Sequence, residues 1–125
     1  MPKTIAIVPC FNEAQRLDGE AFLACVREAD DDVHFLFVND GSTDETSPLL
    51  VRLCATAPSR MQQLDLNANV GKAEAVRLGI LHALASGCDF VTLSQSAFPV
   101  LVFDSLSQGE FRWIASYSSS SDIVG

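Results

Sequence analysis

The chain has 125 residues and a net charge of −8 at pH 7, with 48% hydrophobic and 19% charged residues. This length allows one domain with a core, and the composition excludes a disordered chain. The acidic balance argues against a nucleic-acid partner, because binding a phosphate backbone needs clustered Lys and Arg.

Four cysteines, at positions 10, 25, 54 and 88, have no CxxC spacing. They predict reduced, mostly buried thiols in a cytoplasmic protein, without a disulfide framework or a zinc site. We expect no secretory signal, because Met1-Pro2-Lys3 runs directly into an apolar strand. We also expect no transmembrane segment, because no apolar run approaches the ~20 residues of a membrane span.

The first third of the chain predicts a strand, a helix and a second strand. Thr4–Val8 is an apolar run that we expect to end at Pro9. Asp18–Ala29 has apolar residues at spacings of three and four, which indicates an amphipathic helix. Val33–Val38 is almost continuously apolar, as expected of a parallel strand that is covered on both faces.

The middle of the chain predicts a second helix and a third strand. Ser42 and Glu45 have the spacing of a capping box, which would open a helix with Pro48 in its first turn. We expect Asp44 to lie in that first turn as well. The predicted buried stripe of this helix consists of Leu49, Leu50, Leu53 and Cys54. Met61–Leu66 is a weaker strand.

A third helix and a fourth strand complete the pattern. Lys72–Ser86 predicts a helix that Gly87 ends, followed by a strand over Cys88–Leu93. The predicted apolar face of the helix consists of Ala73, Val76, Ile80, Ala83 and Leu84. The alternation predicts an α/β fold in one domain: a doubly wound, mostly parallel sheet with helices on both faces.

The end of the chain is less regular. Pro99–Leu106 suits either a strand or a helix, and Phe111–Ala115 suits a strand. The last ten residues are rich in Ser, and we expect them to fray.

Polar segments follow three of the predicted strands, at the end of the sheet where α/β folds bind ligands. After the first strand, Phe11 can offer its ring to a nucleobase, and Glu13 its carboxylate to the base or the ribose. The alternative is an ordinary turn after Pro9, with Phe11 buried and Glu13 solvated.

The segment after the second strand contains Asp40, next to Gly41. A carboxylate here can accept the N3–H of uracil, or the N1–H and N2–H of guanine. Alternatively, Asp40 only turns the chain before the helix, as Asp commonly does.

The third segment, Asn67–Lys72, leads into the third helix. A glycine before a helix N-terminus favours anion binding, and Lys72 can reach a phosphate. The alternative is a polar loop with a surface lysine.

Together, Val8–Ala14, Val38–Asp44 and Asn67–Lys72 resemble the donor-binding N-terminal half of family 2 glycosyltransferases. The resemblance covers about residues 4–93. Lys72–Arg77 is most similar to the branch that uses polyprenyl- or dolichyl-phosphate acceptors.

This resemblance implies the GT-A fold, a Rossmann-like sheet, and inverting transfer of a sugar from a UDP- or GDP-sugar. The acceptor would be a lipid phosphate at the membrane surface or a saccharide, so the protein would be cytoplasmic or peripheral to the membrane. The nucleotide-sugar-binding residues that it implies are Pro9, Phe11, Glu13, Asp40, Gly41 and Lys72.

The chain departs from this family after the fourth strand. Members carry an Asp-x-Asp there that binds Mg²⁺ or Mn²⁺, whereas this chain has Ser94 and Ser96, which are poor ligands for a hard cation. Neither Asp104 nor Glu110 lies in a matching motif, so no metal ligand and no catalytic residue is assigned.

Residues 94–125 are therefore divergent or truncated, and two interpretations stay open. The chain is either a glycosyltransferase domain that is impaired or incomplete, or a non-catalytic nucleotide-binding or protein-interaction domain with a degenerate GT-A fold. A phosphorelay receiver is disfavoured, because the first strand ends in Pro9-Cys10 rather than in acidic residues.

Overall fold

A computed structural model describes residues 2–29, 32–97 and 99, in which four strands alternate with three helices. In chain order they are β1 (Lys3–Cys10), α1 (Gly19–Glu28), β2 (Asp32–Asn39), α2 (Thr46–Thr56), β3 (Met61–Asp65), α3 (Lys72–Ala85) and β4 (Phe90–Leu93). The predicted alternation is confirmed over this part of the chain. The predictions for residues 100–125 lie outside the described residues.

The four strands form one parallel sheet in the order β3-β2-β1-β4. The chain adds strands in one direction from β1 to β3 and then returns to place β4 on the other side of β1. This reversal makes the carboxyl ends of β1 and β4 a topological switch point, where open α/β sheets bind their ligands.

Helices α1 and α2 cover one face of the sheet. Phe22 of α1 packs edge to face against Phe35 and Phe37 of β2, with ring centroids 5.0 and 5.1 Å apart. Leu50 and Leu53 of α2 are buried in the same cluster. These contacts bring the start of both helices to the carboxyl end of the sheet.

Helix α3 covers the opposite face, but with only part of the predicted apolar face: Ala83 is buried and Ile80 packs against the core as predicted. Ala75, Gly79 and Ala83 are buried against the sheet, whereas Ala73 and Leu84 of the predicted face are exposed. Small residues at spacings of four let the helix approach closely, so that backbone proximity rather than side-chain size decides which face is buried. The prediction for Ala73 and Leu84 is therefore wrong.

Strand β1 continues through Pro9, against the expectation that the strand ends there. Pro9 pairs with Val38 of β2, and Cys10 pairs with Asn39. The carbonyl of Cys10 accepts a hydrogen bond from the N–H of Asp40, on the side of β2. The carbonyl of Ile7 accepts one from the N–H of Ser94, on the side of β4. The backbone polar groups of successive residues point to alternate sides of a strand, so an N–H at Pro9 would point toward β4, as the carbonyl of Ile7 does. Because β4 has already ended at this level, no ladder hydrogen bond is lost.

Helix α2 begins at Thr46, four residues after the predicted capping residue. The hydroxyl of Ser42 accepts a hydrogen bond from the N–H of Asn12 instead of capping the helix, and the side chain of Glu45 makes no capping hydrogen bond. Asp44 precedes the helix and accepts a bond from the N–H of Thr46 at 2.9 Å. The capping box is wrong, but Pro48 lies in the first turn as predicted.

Candidate functional site

A cleft of about 500 Å³ lies at the switch point, beyond the carboxyl ends of the strands. Of the six predicted binding residues, all except Gly41 line it. Within the described part of the chain, the residues that line it are Pro9, Cys10, Phe11, Glu13, Arg16, Asp40, Asn69, Gly71, Lys72, Ser94, Gln95, Ser96 and Ala97. The three polar segments therefore meet in one place, because parallel strands bring their carboxyl ends to the same edge of the sheet.

Hydrogen bonds to the β2–α2 loop (residues 40–45) and to the start of α2 fix the conformation of the β1–α1 loop (residues 11–18). The N–H groups of three successive residues donate to side chains: Asn12 to Ser42 Oγ at 3.0 Å, Glu13 to Thr46 Oγ1 at 2.8 Å, and Ala14 to Asp44 Oδ2 at 3.4 Å. The backbone of Glu13, which lines the cleft, is thereby fixed.

Asn12 and Asp44 complete this connection from opposite sides. Asn12 has a φ of 52°, a conformation that Asn tolerates better than most residues, and its Oδ1 accepts the N–H of Thr43 at 2.8 Å. Asp44 Oδ1 accepts a hydrogen bond from the hydroxyl of Thr46 at 2.5 Å, and this bond lowers the pKa of Asp44. The sequence did not predict the bonds that join the two loops, since their partners lie about thirty residues apart.

Glu13 presents one engaged and one available oxygen. Its Oε2 accepts a bond from the guanidinium of Arg16 at 2.6 Å. Its Oε1 is buried and has no hydrogen-bond donor among the described residues. A buried acceptor without a donor is costly, so Oε1 is suited to accept a hydrogen bond from a ligand.

Arg16 also lines the cleft, and sequence reasoning missed it. Its side chain is 69% exposed. The one available signal was its position three residues after Glu13, a spacing that permits side-chain pairing.

Asp40 is almost completely buried, with 3% of its surface exposed. Its carboxylate accepts bonds from the β3–α3 loop (residues 66–71): from the N–H of Val70 at 2.8 Å, the N–H of Gly71 at 3.1 Å, and the amide of Asn69 at 3.1 Å. The second polar segment is therefore bonded to the third.

Gly41 lies behind the cleft, packed against the same loop. With φ at +69°, a Cβ at Gly41 would be 2.4 Å from the backbone nitrogen of Asn69 and 2.7 Å from the carbonyl carbon of Ala68. Only a glycine fits both this conformation and this distance. Gly41 thus shapes the cleft from behind without facing it.

Lys72 is exposed at the first position of α3. It follows Gly71, whose φ is +96° and which caps the helix without a side-chain hydrogen bond. Among residues 2–29, 32–97 and 99, no carboxylate forms an ion pair with Lys72. Both the ammonium group and the first N–H groups of α3 are therefore suited to an anion.

The side of the cleft near β4 contains Ser94 and Ser96, which are both buried. Within the described part of the chain, no three or more His, Cys, Asp and Glu side chains cluster as metal ligands would. Burial raises the pKa of the Cys10 thiol, at the base of the cleft, to about 12. This thiol stays protonated near neutral pH, which disfavours it as a nucleophile.

The parallel sheet, the helices on both of its faces and the cleft at its switch point define a Rossmann-like α/β domain of the GT-A type. Residues 5–92 match the family model "Glycosyl transferase family 2". The chain belongs to this family.

Curated relatives carry sugar-transferase names. The chain is 33% identical over 85 residues to "Prophage bactoprenol glucosyl transferase homolog" of Escherichia coli (strain K12), which covers 65% of this chain and 27% of the relative. It is 31% identical over 87 residues to "Dolichyl-phosphate beta-glucosyltransferase ALG5C" of Trichomonas vaginalis, covering 64% of this chain and 26% of that protein. The matched region thus spans about a quarter of these relatives.

Among solved structures, the fold is similar to a mannosyltransferase, PcManGT from Pyrobaculum calidifontis, in complex with GDP-Man and Mn²⁺. The TM-score is 0.66 at 26% identity, covering 91% of this chain and 32% of the mannosyltransferase. None of the helices within the described residues has the length and apolarity of a membrane span.

Proposed function

We propose that the cleft binds the nucleoside diphosphate of a UDP- or GDP-sugar and that the chain is the donor-binding part of a sugar transferase. The observation that carries this proposal is the convergence of Phe11, Glu13, Asp40 and Lys72 on one cleft at the switch point. A surface that binds no ligand would not need an exposed aromatic ring, a buried acceptor and a cation that has no ion-pair partner among the described residues.

The two ends of the cleft suit the two ends of such a ligand. Phe11 is 45% exposed and offers a ring face for a base, while Pro9 forms the wall beside it. The available Oε1 of Glu13 accepts a hydroxyl of the ribose or an N–H of the base. Lys72 and the N-terminus of α3 bind the phosphates.

The acceptor in this proposal is a lipid phosphate or a saccharide. The names of the relatives, which mention bactoprenol and dolichyl phosphate, support the lipid phosphate and a place at the membrane surface. Because the chain matches only about a quarter of those proteins, the acceptor site and the general base would come from sequence that the matched region does not include.

The family's divalent metal does not fit the cleft as these residues form it. Ser94 and Ser96 stand where the resemblance places the two aspartates, and a hard dication prefers carboxylate oxygens. Among the described residues, two carboxylates line the cleft: Asp40 is engaged by three N–H donors, and one oxygen of Glu13 is engaged by Arg16. The proposal therefore includes nucleotide binding without metal, and the same observation favours the second candidate, a non-catalytic nucleotide-binding domain.

Calorimetric titration of the chain with UDP and GDP, with and without Mn²⁺, tests the proposal. We expect one of the nucleotides to bind and Mn²⁺ to leave its affinity unchanged. Lys72→Gln should weaken binding about 10-fold, corresponding to the loss of one charged hydrogen bond of about 1.5 kcal/mol. Arg52→Gln, which removes an exposed cation on α2, is the matched control and should change nothing.

The double variant Ser94→Asp/Ser96→Asp restores the carboxylates and should make nucleotide binding stronger in Mn²⁺. If neither nucleotide binds the chain, the proposed function is wrong. If Mn²⁺ strengthens binding to the unmodified chain, the metal-free part of the proposal is wrong.

A further inference from the structure

We propose that Asp40 is a positioning residue, whose carboxylate holds the β3–α3 loop so that Lys72 and the N-terminus of α3 face the diphosphate. This inference rests on the proposed function of the cleft. It gives Asp40 a role at the phosphate end of the ligand, through the loop, in addition to lining the cleft.

The first argument is the number of donors that the Asp40 carboxylate already accepts. Oδ1 accepts the N–H of Val70, and Oδ2 accepts both the N–H of Gly71 and the side-chain amide of Asn69. A carboxylate offers about four lone-pair positions, so three are engaged within the protein. One position is left for a ligand in the cleft, which Asp40 lines, so most of the hydrogen bonding of the carboxylate goes to the loop.

The second argument is that the loop has few other attachments. Residues 67–70 are all exposed, so their side chains do not anchor the loop in a core. The backbone of Gly41 packs against Ala68 and Asn69, and the N–H of Leu66 donates to the carbonyl of Asn39 at 2.9 Å. The side-chain amide of Asn69 also donates to the backbone carbonyl of Asp40 at 3.1 Å. Between Leu66 and the start of α3, the Asp40 carboxylate supplies charge-assisted hydrogen bonds, which are about twice as strong as neutral ones.

The third argument is the position of the bonded groups. Val70 and Gly71 directly precede Lys72, so fixing their N–H groups fixes where α3 begins and where the Lys72 side chain starts. No side chain caps α3 in the described part of the chain, so its first N–H groups keep their capacity to bind an anion. The carboxylate thereby orients a cation and a helix terminus that it does not itself touch.

The isosteric variant Asp40→Asn tests this geometry. An amide keeps one acceptor oxygen and replaces the other with a donor. In one orientation that donor faces the N–H of Val70, and in the other it faces the N–H of Gly71 and the amide of Asn69. Either orientation sets donor against donor and releases part of the loop.

Amide hydrogen exchange of the chain without ligand is the first measurement. We expect the amides of Val70 and Gly71 to be protected in the unmodified chain and to exchange at least about 10-fold faster in Asp40→Asn. The amide of Ala83, deep in α3, should not change. Glu45→Gln removes a nearby exposed negative charge and serves as the control. Unprotected Val70 and Gly71 amides, or amides that Asp40→Asn leaves unchanged, would overturn the proposal.

The second measurement compares ligands with and without phosphates. Asp40→Asn should weaken UDP or GDP binding about 10-fold more than it weakens uridine or guanosine binding. In a Lys72→Gln background the effect of Asp40→Asn should largely disappear, because the two residues act through one contact. Equal losses for the nucleoside and the diphosphate would instead show direct base recognition and overturn the inference.

If Asp40→Asn does not fold, Asn69→Ala removes one of the three donors, and the same pattern is expected with smaller changes. If the unmodified chain binds no nucleotide, the proposed function fails and the phosphate role of the loop fails with it. The exchange experiment still decides separately whether Asp40 holds the loop.

Discussion

Gly79 of α3 packs directly against the sheet, and replacing it with alanine tests that contact. A Cβ at Gly79 would lie 2.8 Å from Cγ2 of Ile7 and 2.8 Å from Cγ2 of Val38. Both methyl groups are attached directly to the Cβ of β-branched strand residues and are restricted in χ1. Neither can move away without a change of rotamer or of backbone, so we expect α3 itself to shift.

The magnitude follows from two opposing terms. Alanine is favoured over glycine in a helix interior by about 1 kcal/mol. Overpacking a core costs about 1–3 kcal/mol, and two contacts with stiff methyl groups place this site in the upper half of that range. The Gly79→Ala chain should therefore be less stable by about 1–2 kcal/mol, a decrease in Tm of roughly 5–10 °C.

Urea unfolding followed by circular dichroism measures this difference. Gly19→Ala is the matched control, because a Cβ there would lie 3.3 Å from Cδ1 of Leu53, the end of a flexible side chain. That variant should stay within about 0.5 kcal/mol of the unmodified chain. A Gly79→Ala chain as stable as the unmodified one would refute the claim that close approach decides which face of α3 is buried.

Two further predictions concern the loop behind the cleft and the buried thiols. Gly41→Ala should cost more stability in thermal unfolding than Gly87→Ala. Both glycines have positive φ (+69° and +86°), but of the two only Gly41 has backbone atoms within 3 Å of the position that a Cβ would take. We expect a loss of about 1–2 kcal/mol for Gly87→Ala and a larger loss for Gly41→Ala, and equal losses would contradict the packing argument. Burial raises the pKa of Cys10 from 9.0 to about 12 and that of Cys54 to about 11. These thiols therefore stabilise the fold fully below about pH 9, and this contribution is lost as the pH rises toward their folded-state values. In urea unfolding between about pH 8 and pH 11, the free energy of unfolding should fall more steeply for the unmodified chain than for Cys10→Ala. Parallel curves for the two chains would contradict this role of the buried thiol.

The sequence by itself determined the alternation of strands and helices. The continuous apolar run in β2 needs cover on both faces, and this local requirement holds whatever surrounds it. It also identified the strand-end segments, because polar residues directly after a buried strand can lie only at the edge of the sheet. Five of the six predicted binding residues meet in the cleft for this reason.

Only the tertiary structure decided the details that depend on a neighbour. Pro9 remains within β1 because its missing N–H faces the side where β4 has ended, and no pattern within β1 reports the length of β4. The buried face of α3 depends on how closely Ile7 and Val38 let the helix approach. A prediction from the size of apolar side chains therefore placed Leu84 on the buried face, although it is exposed. The bonds from Asp40 to residues about thirty positions away depend on two loops meeting in space, and hydrogen bonds of that range leave no periodicity in the sequence.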